Sequence, residues 1–69
     1  MAISARNQLK GKITEIILGD IMAHVTVRVG QSLIESVITR KSATELKLKK
    51  GDTVSVVVKA TEEMIARPD

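Results

Sequence analysis

The chain has 69 residues, no cysteine, no Phe, Trp or Tyr, a single histidine and a formal net charge of +3. These figures allow one domain and exclude both a disulfide framework and a thiolate or histidine-rich metal site. They also remove the aromatic platforms on which single-stranded nucleic acid stacks. A domain this short buries only about 60 % of the surface its unfolded chain exposes. With neither disulfide nor metal, self-association is the expected source of stability, and the positive charge suits an anionic partner.

The start, Met1-Ala2-Ile3-Ser4-Ala5-Arg6, lacks the apolar region that a signal peptide needs. No apolar run approaches the length of a membrane span. A cytoplasmic protein with no membrane partner is the expectation.

The apolar residues are rich in β-branched types, which suit a sheet. The first strand is predicted over Leu9–Leu18, with Leu9, Ile13 and Ile17 on one face and Lys10, Lys12 and Thr14 on the other. Gly11 interrupts it and marks a bulge or a close backbone approach. Gly19-Asp20 reads as a hairpin turn. The second strand, Ile21–Val29, alternates Ala23, Val25, Val27 and Val29 with Met22, His24, Thr26 and Arg28, a period of two. Gly30-Gln31 makes the next tight turn. In the third strand, Ser32–Ile38, both faces carry apolar residues, which suits cover on both sides.

The period then changes. Thr39 or Arg40 to Leu46 reads as one or two turns of helix with Ala43, Leu46 and Leu48 along its apolar edge, and Ser42 as a candidate cap. Lys49-Lys50-Gly51-Asp52 is a loop. A fourth strand is expected over Thr53–Lys59, with Val54, Val56 and Val58 on one face, and a short fifth over Glu63–Ala66, before Pro68 ends pairing. Three strands, a short helix and two strands are the element order of an OB-type barrel. The fold class is therefore all-β with small α content: a five-stranded OB-type barrel formed by a single domain, residues 1–69. An SH3-like barrel is the second choice.

Catalysis has little support. His24 stands alone in a strand and is assigned no role, no Ser/His/Asp grouping is visible, and no glycine-rich loop matches a phosphate-binding fingerprint. The chain reads as a non-enzyme. The remaining polar residues suit an anion site. Arg6 and Lys59 can supply charge, and Ser4, Thr39, Ser42 and Thr61 can supply hydroxyl donors, with turn backbone N–H groups adding more. Taken singly, such residues are more often solvated surface. Lys47, Lys49 and Lys50 read as a solvated loop.

The run Ile3-Ser4-Ala5-Arg6-Asn7-Gln8-Leu9-Lys10-Gly11-Lys12 resembles the N-terminal hallmark of the molbindin (Mop) family. Val57-Val58-Lys59-Ala60-Thr61 matches the family's Val-Lys-Ala segment, and Ile38-Thr39-x-x-Ser42 is a looser third match. The resemblance covers essentially the whole chain. It implies an OB-type barrel and a homo-oligomer, a hexamer built as a trimer of dimers. The implied ligand is molybdate or tungstate, bound as the oxyanion between subunits for storage or homeostasis, with no metal ligands as such and no organic cofactor. Carried over by position, Ser4-Ala5-Arg6 would supply donors and charge from one subunit. Lys59 would supply its ammonium, Ala60 a backbone N–H and Thr61 a hydroxyl, and Thr39 and Ser42 would complete the pocket. The Gly30-Gln31 turn is shorter than the family's glycine-rich turn, and Arg40-Lys41 adds charge beside the implied site. Two other readings stay open: an OB-type nucleic-acid-binding module, disfavoured by the missing aromatics, and a stand-alone regulatory domain acting through a protein partner. Neither accounts for the N-terminal motif.

Overall fold

The computed structural model describes residues 7–68. The elements are β1 (Asn7–Leu18), β2 (Met22–Val29), β3 (Ser32–Thr39), α1 (Arg40–Glu45) and β4 (Thr53–Val58), followed by a 3₁₀ turn over Ala60–Glu62. The strands form one antiparallel sheet in the order β3-β2-β1-β4. With 12 residues, β1 is long enough to serve two neighbours. Its first half pairs with β4, from Asn7↔Val58 to Lys12↔Thr53. Its second half pairs with β2, from Lys12↔Arg28 to Leu18↔Ala23. This offset lets a short sheet curl around its apolar face, as an OB-type barrel requires.

A bulge refines the expected facing of β1. Ile13 pairs with Val27, but Glu15 rather than Thr14 pairs with Thr26. One extra residue shifts the alternation by one. Ile16 therefore packs against the core, while Ile17, expected beside Ile13, turns outward and is exposed. Gly11 is not the bulge; it is the close approach. A Cβ at this position would lie 2.3 Å from the Arg28 carbonyl oxygen, 2.8 Å from Val27 Cγ1 and 2.9 Å from Val29 Cγ2.

The core matches the predicted alternation of β2. Ile13, Val25 and Val27 form its centre, with Ile38, Leu48, Val54 and Val56 packed against it. Ala23 and Ala43 are the other buried apolar residues among those described. In β3, Ile34 and Ile38 are half-buried, but Leu33 and Val37 are exposed on the outer face, so within one chain this strand is covered on one side only.

The helix is short and is capped by Thr39, not by Ser42 as expected. Thr39 holds an extended backbone, and its Oγ1 accepts a hydrogen bond from the Ser42 backbone N–H at 3.1 Å. Ser42 stands in the first turn, where its N–H is one of the donors that a cap must satisfy. Ala43 anchors the helix to the barrel; Leu46, expected on the same apolar edge, is exposed.

Among the described residues the sheet has four strands, not five. Glu63–Ala66, the expected fifth, pairs with nothing, and Met64 and Ile65 are 93 % and 96 % exposed. β3 and β4 are the edge strands, and an open apolar groove of ≈ 440 Å³ runs between them, lined by Ile38, Leu48, Val54 and Val56 among others. Among the described residues, none after Val57 lines it.

Candidate functional site

The pairing of β1 with β4 positions the first group of predicted site residues. Asn7 opens β1 directly after the Ser4-Ala5-Arg6 segment, and its partner Val58 closes β4 directly before Lys59. Register thus brings the exit of the N-terminal motif and the start of the Lys59-Ala60-Thr61 segment to one end of the sheet. Ser4, Ala5 and Arg6 themselves lie outside the described residues.

Lys59 keeps an extended backbone (φ −67°, ψ 138°) and precedes the 3₁₀ turn that holds Ala60 and Thr61. The turn is closed by the Glu62 N–H donating to the Lys59 carbonyl at 3.0 Å. All of Lys59, Ala60 and Thr61 are exposed. Although Glu62 and Glu63 follow closely in sequence, the Lys59 ammonium has no carboxylate partner among the described residues, where the single contact of a basic side chain with a carboxylate is His24–Glu35. The Glu63 carboxylate is engaged elsewhere: Asn7 Nδ2 donates to Glu63 Oε2 at 2.8 Å. An exposed ammonium with no carboxylate partner among the described residues, beside a 3₁₀ turn, has the charge an oxyanion needs.

The second group, Thr39 and Ser42, sits at the β3–α1 junction. Thr39 Oγ1 donates to Ser42 Oγ at 2.9 Å while accepting from the Ser42 N–H. The two hydroxyls are therefore prearranged as one unit, and the Ser42 hydroxyl proton remains free to donate outward. An open depression of ≈ 510 Å³ adjoins this junction, with Asp20, Ile21, Arg40 and Lys41 on its walls. Arg40, flagged from sequence as added charge, donates from Nη1 to the Gly19 carbonyl at 3.0 Å and so ties α1 to the β1–β2 turn.

These groups occupy different ends of the sheet. Thr39 pairs with Met22, beside the Leu18 end of β1, whereas Lys59 follows the residue that pairs with Asn7. The strand β1 between them spans roughly 35 Å of contour. No hydrogen bond or ion pair joins the two groups among the described residues. The structure thus brings the start of the Lys59 segment beside Asn7, and among the described residues it does not bring Thr39 and Ser42 to that end of the sheet within one chain. His24, assigned no role from sequence, lies outside both groups and pairs with Glu35 at 3.1 Å across β2 and β3. Glu63 was missed by sequence reasoning. It stands 56 residues from Asn7, and no local pattern links them.

A small curled β-sheet with a capped helix after its third strand and polar residues at the strand ends defines an OB-like ligand-binding domain. The TOBE domain profile matches residues 3–65, and the chain belongs to this family, in its molbindin branch. Molybdenum-pterin-binding protein 1 of Clostridium pasteurianum is 44 % identical over 66 residues, covering 94 % of this chain and 97 % of that protein. The fold is similar to that of a molybdate-binding protein from Sporomusa ovata, with a TM-score of 0.93, 36 % identity and coverage of 97 % of this chain and 100 % of the other. It is also similar to the cytoplasmic molybdate-binding protein ModG with molybdate bound, with a TM-score of 0.81 and 39 % identity, covering 87 % of this chain and 43 % of ModG. These relatives are binding proteins, and their ligand is molybdate or a molybdenum pterin.

Proposed function

We propose that this chain binds molybdate, and also tungstate, as a tetrahedral dianion in sites shared between copies of itself, and serves as a cytoplasmic store or buffer of the ion. One observation carries the reading. The β1–β4 register sets Asn7, the residue that follows Ser4-Ala5-Arg6 in sequence, opposite Val58, the residue that precedes Lys59-Ala60-Thr61, and the Lys59 ammonium is unpaired among the described residues.

The dianion takes charge from Arg6 and Lys59, a backbone N–H from Ala60, and hydroxyls from Ser4 and Thr61. Thr39 and Ser42, remote along the sheet, join such a pocket from a neighbouring copy. Assembly has its own support. The core is small, and Leu33, Val37, Met64 and Ile65 stand exposed. The unfilled groove between β3 and β4 and the unpaired Glu63–Ala66 segment are complementary halves of a contact between copies, in which that segment provides the fifth strand of the barrel. A hexamer arranged as a trimer of dimers accommodates both the groove contact and the shared sites.

Isothermal titration with molybdate, with sulfate and phosphate as controls, tests the ligand. Saturable molybdate binding with little response to sulfate is expected; no saturation with molybdate or tungstate would sink the proposal. Mass by light scattering tests the assembly, and a monomer at micromolar concentration contradicts it.

A further inference from the structure

The Asn7–Glu63 hydrogen bond lies beside the proposed anion site and is part of no strand ladder. Its partners come from the two segments that the site draws together. Asn7 follows Arg6, and Glu63 lies four residues after Lys59, at the exit of the 3₁₀ turn. Within its own chain Glu63 is exposed and pairs with no strand among the described residues. A carboxylate so close in sequence to Lys59 is a natural internal partner for that ammonium, and an ion pair between them would compete directly with a bound dianion. No such pair forms. The Glu63 Oε2 instead accepts from the Asn7 amide at 2.8 Å, and Lys59 has no carboxylate within 4.0 Å among the described residues.

We propose that Asn7 is a positioning residue for anion binding: its side-chain amide holds the Glu63 carboxylate away from Lys59 and so keeps the ammonium open to the oxyanion. Asn7 suits this task because a neutral amide NH₂ satisfies a carboxylate without adding charge to the site. Its place at the first rung of β1, opposite Val58, fixes it against the base of the turn. Asn7 acts through Glu63 and Lys59, and need not touch the ligand. The inference rests on the proposed molybdate site.

The test is a set of molybdate titrations on the parent chain, N7A, E63Q and N7A/E63Q, at fixed low ionic strength. In N7A the released Glu63 pairs part of the time with Lys59. A surface pair of ordinary strength then weakens molybdate binding by about threefold to sixfold. N7A/E63Q lacks the released Glu63 carboxylate, keeps Glu62 as in the parent, and returns to within about twofold of the parent. The N7A defect also shrinks as salt screens the new pair. A merely structural bridge gives another pattern: E63Q weakens binding as N7A does, and the double variant shows no rescue. That result, or an N7A affinity equal to the parent's, overturns the proposal. A parent chain that binds no molybdate overturns the functional reading and the inference together, so the two failures are distinguishable.

Discussion

Gly11→Ala is a severe test of how this barrel is closed. At Gly11 the strand β1 hands over from β4 to β2, and the backbone of β2 passes directly above it. An added Cβ would meet the Arg28 carbonyl oxygen at 2.3 Å and two valine methyl groups below 3.0 Å. Val27 is buried at 2 % exposure and cannot turn its side chain into solvent. The carbonyl belongs to the backbone of β2, opposite Lys12, so relief requires β1 and β2 to part. Overpacking of a tight site costs about 1–3 kcal/mol, and more where backbone must move; the combined clash places G11A at about 3 kcal/mol or above. A domain of this length has roughly 3–10 kcal/mol in total, so the variant should lose much of its stability. Gly30→Ala is the internal reference. Gly30 has a φ of 61° but open space around its Cβ position, and only left-handed strain of about 1–2 kcal/mol is expected. Guanidinium denaturation followed by circular dichroism, at one protein concentration because assembly contributes, should rank the parent above G30A and G30A above G11A. A G11A midpoint equal to or above that of G30A would refute the argument that backbone contact, rather than conformational freedom, requires glycine there.

Three further outcomes are expected. Thr39→Ala removes the helix cap and should cost about 1 kcal/mol in the same denaturation assay, with Thr39→Ser restoring most of it; equal midpoints for T39A and the parent would remove the capping role. Lys59→Ala should weaken molybdate binding about tenfold or more, since a charge-assisted contact is lost, while the thermal midpoint of the ligand-free protein stays close to the parent because Lys59 is exposed and unpaired among the described residues. Unchanged affinity would remove Lys59 from the site. Replacing both Met64 and Ile65 with Ser should lower the mass of the assembly in light scattering, because these exposed side chains have no partner in their own chain among the described residues; retention of the full oligomer would place the contact elsewhere.

Local pattern was enough to read much of this molecule from its residues. The alternation of Ala23, Val25 and Val27 identified the buried face of β2, because a strand sends successive side chains to opposite faces. The turns at Gly19-Asp20 and Gly30-Gln31 and the change of period at Thr39 marked the remaining boundaries. The run from Ile3 to Lys12, with Val57 to Thr61, pointed to the family. The rest depended on distant parts of the chain meeting. The bulge at Thr14 follows from fitting β1 to two neighbours at once, so Ile16 faces inward where a strict alternation favours Ile17. The choice of Thr39 over Ser42 as cap follows from where β3 releases the chain. Glu63–Ala66 reads as a strand by its composition, but among the described residues no strand of the same chain pairs with it. The Asn7–Glu63 contact across 56 residues is likewise a product of the β1–β4 register. Periodicity and turn chemistry are properties of neighbours in sequence; register, edge pairing and long-range polar contacts are set only when the whole chain has closed its sheet.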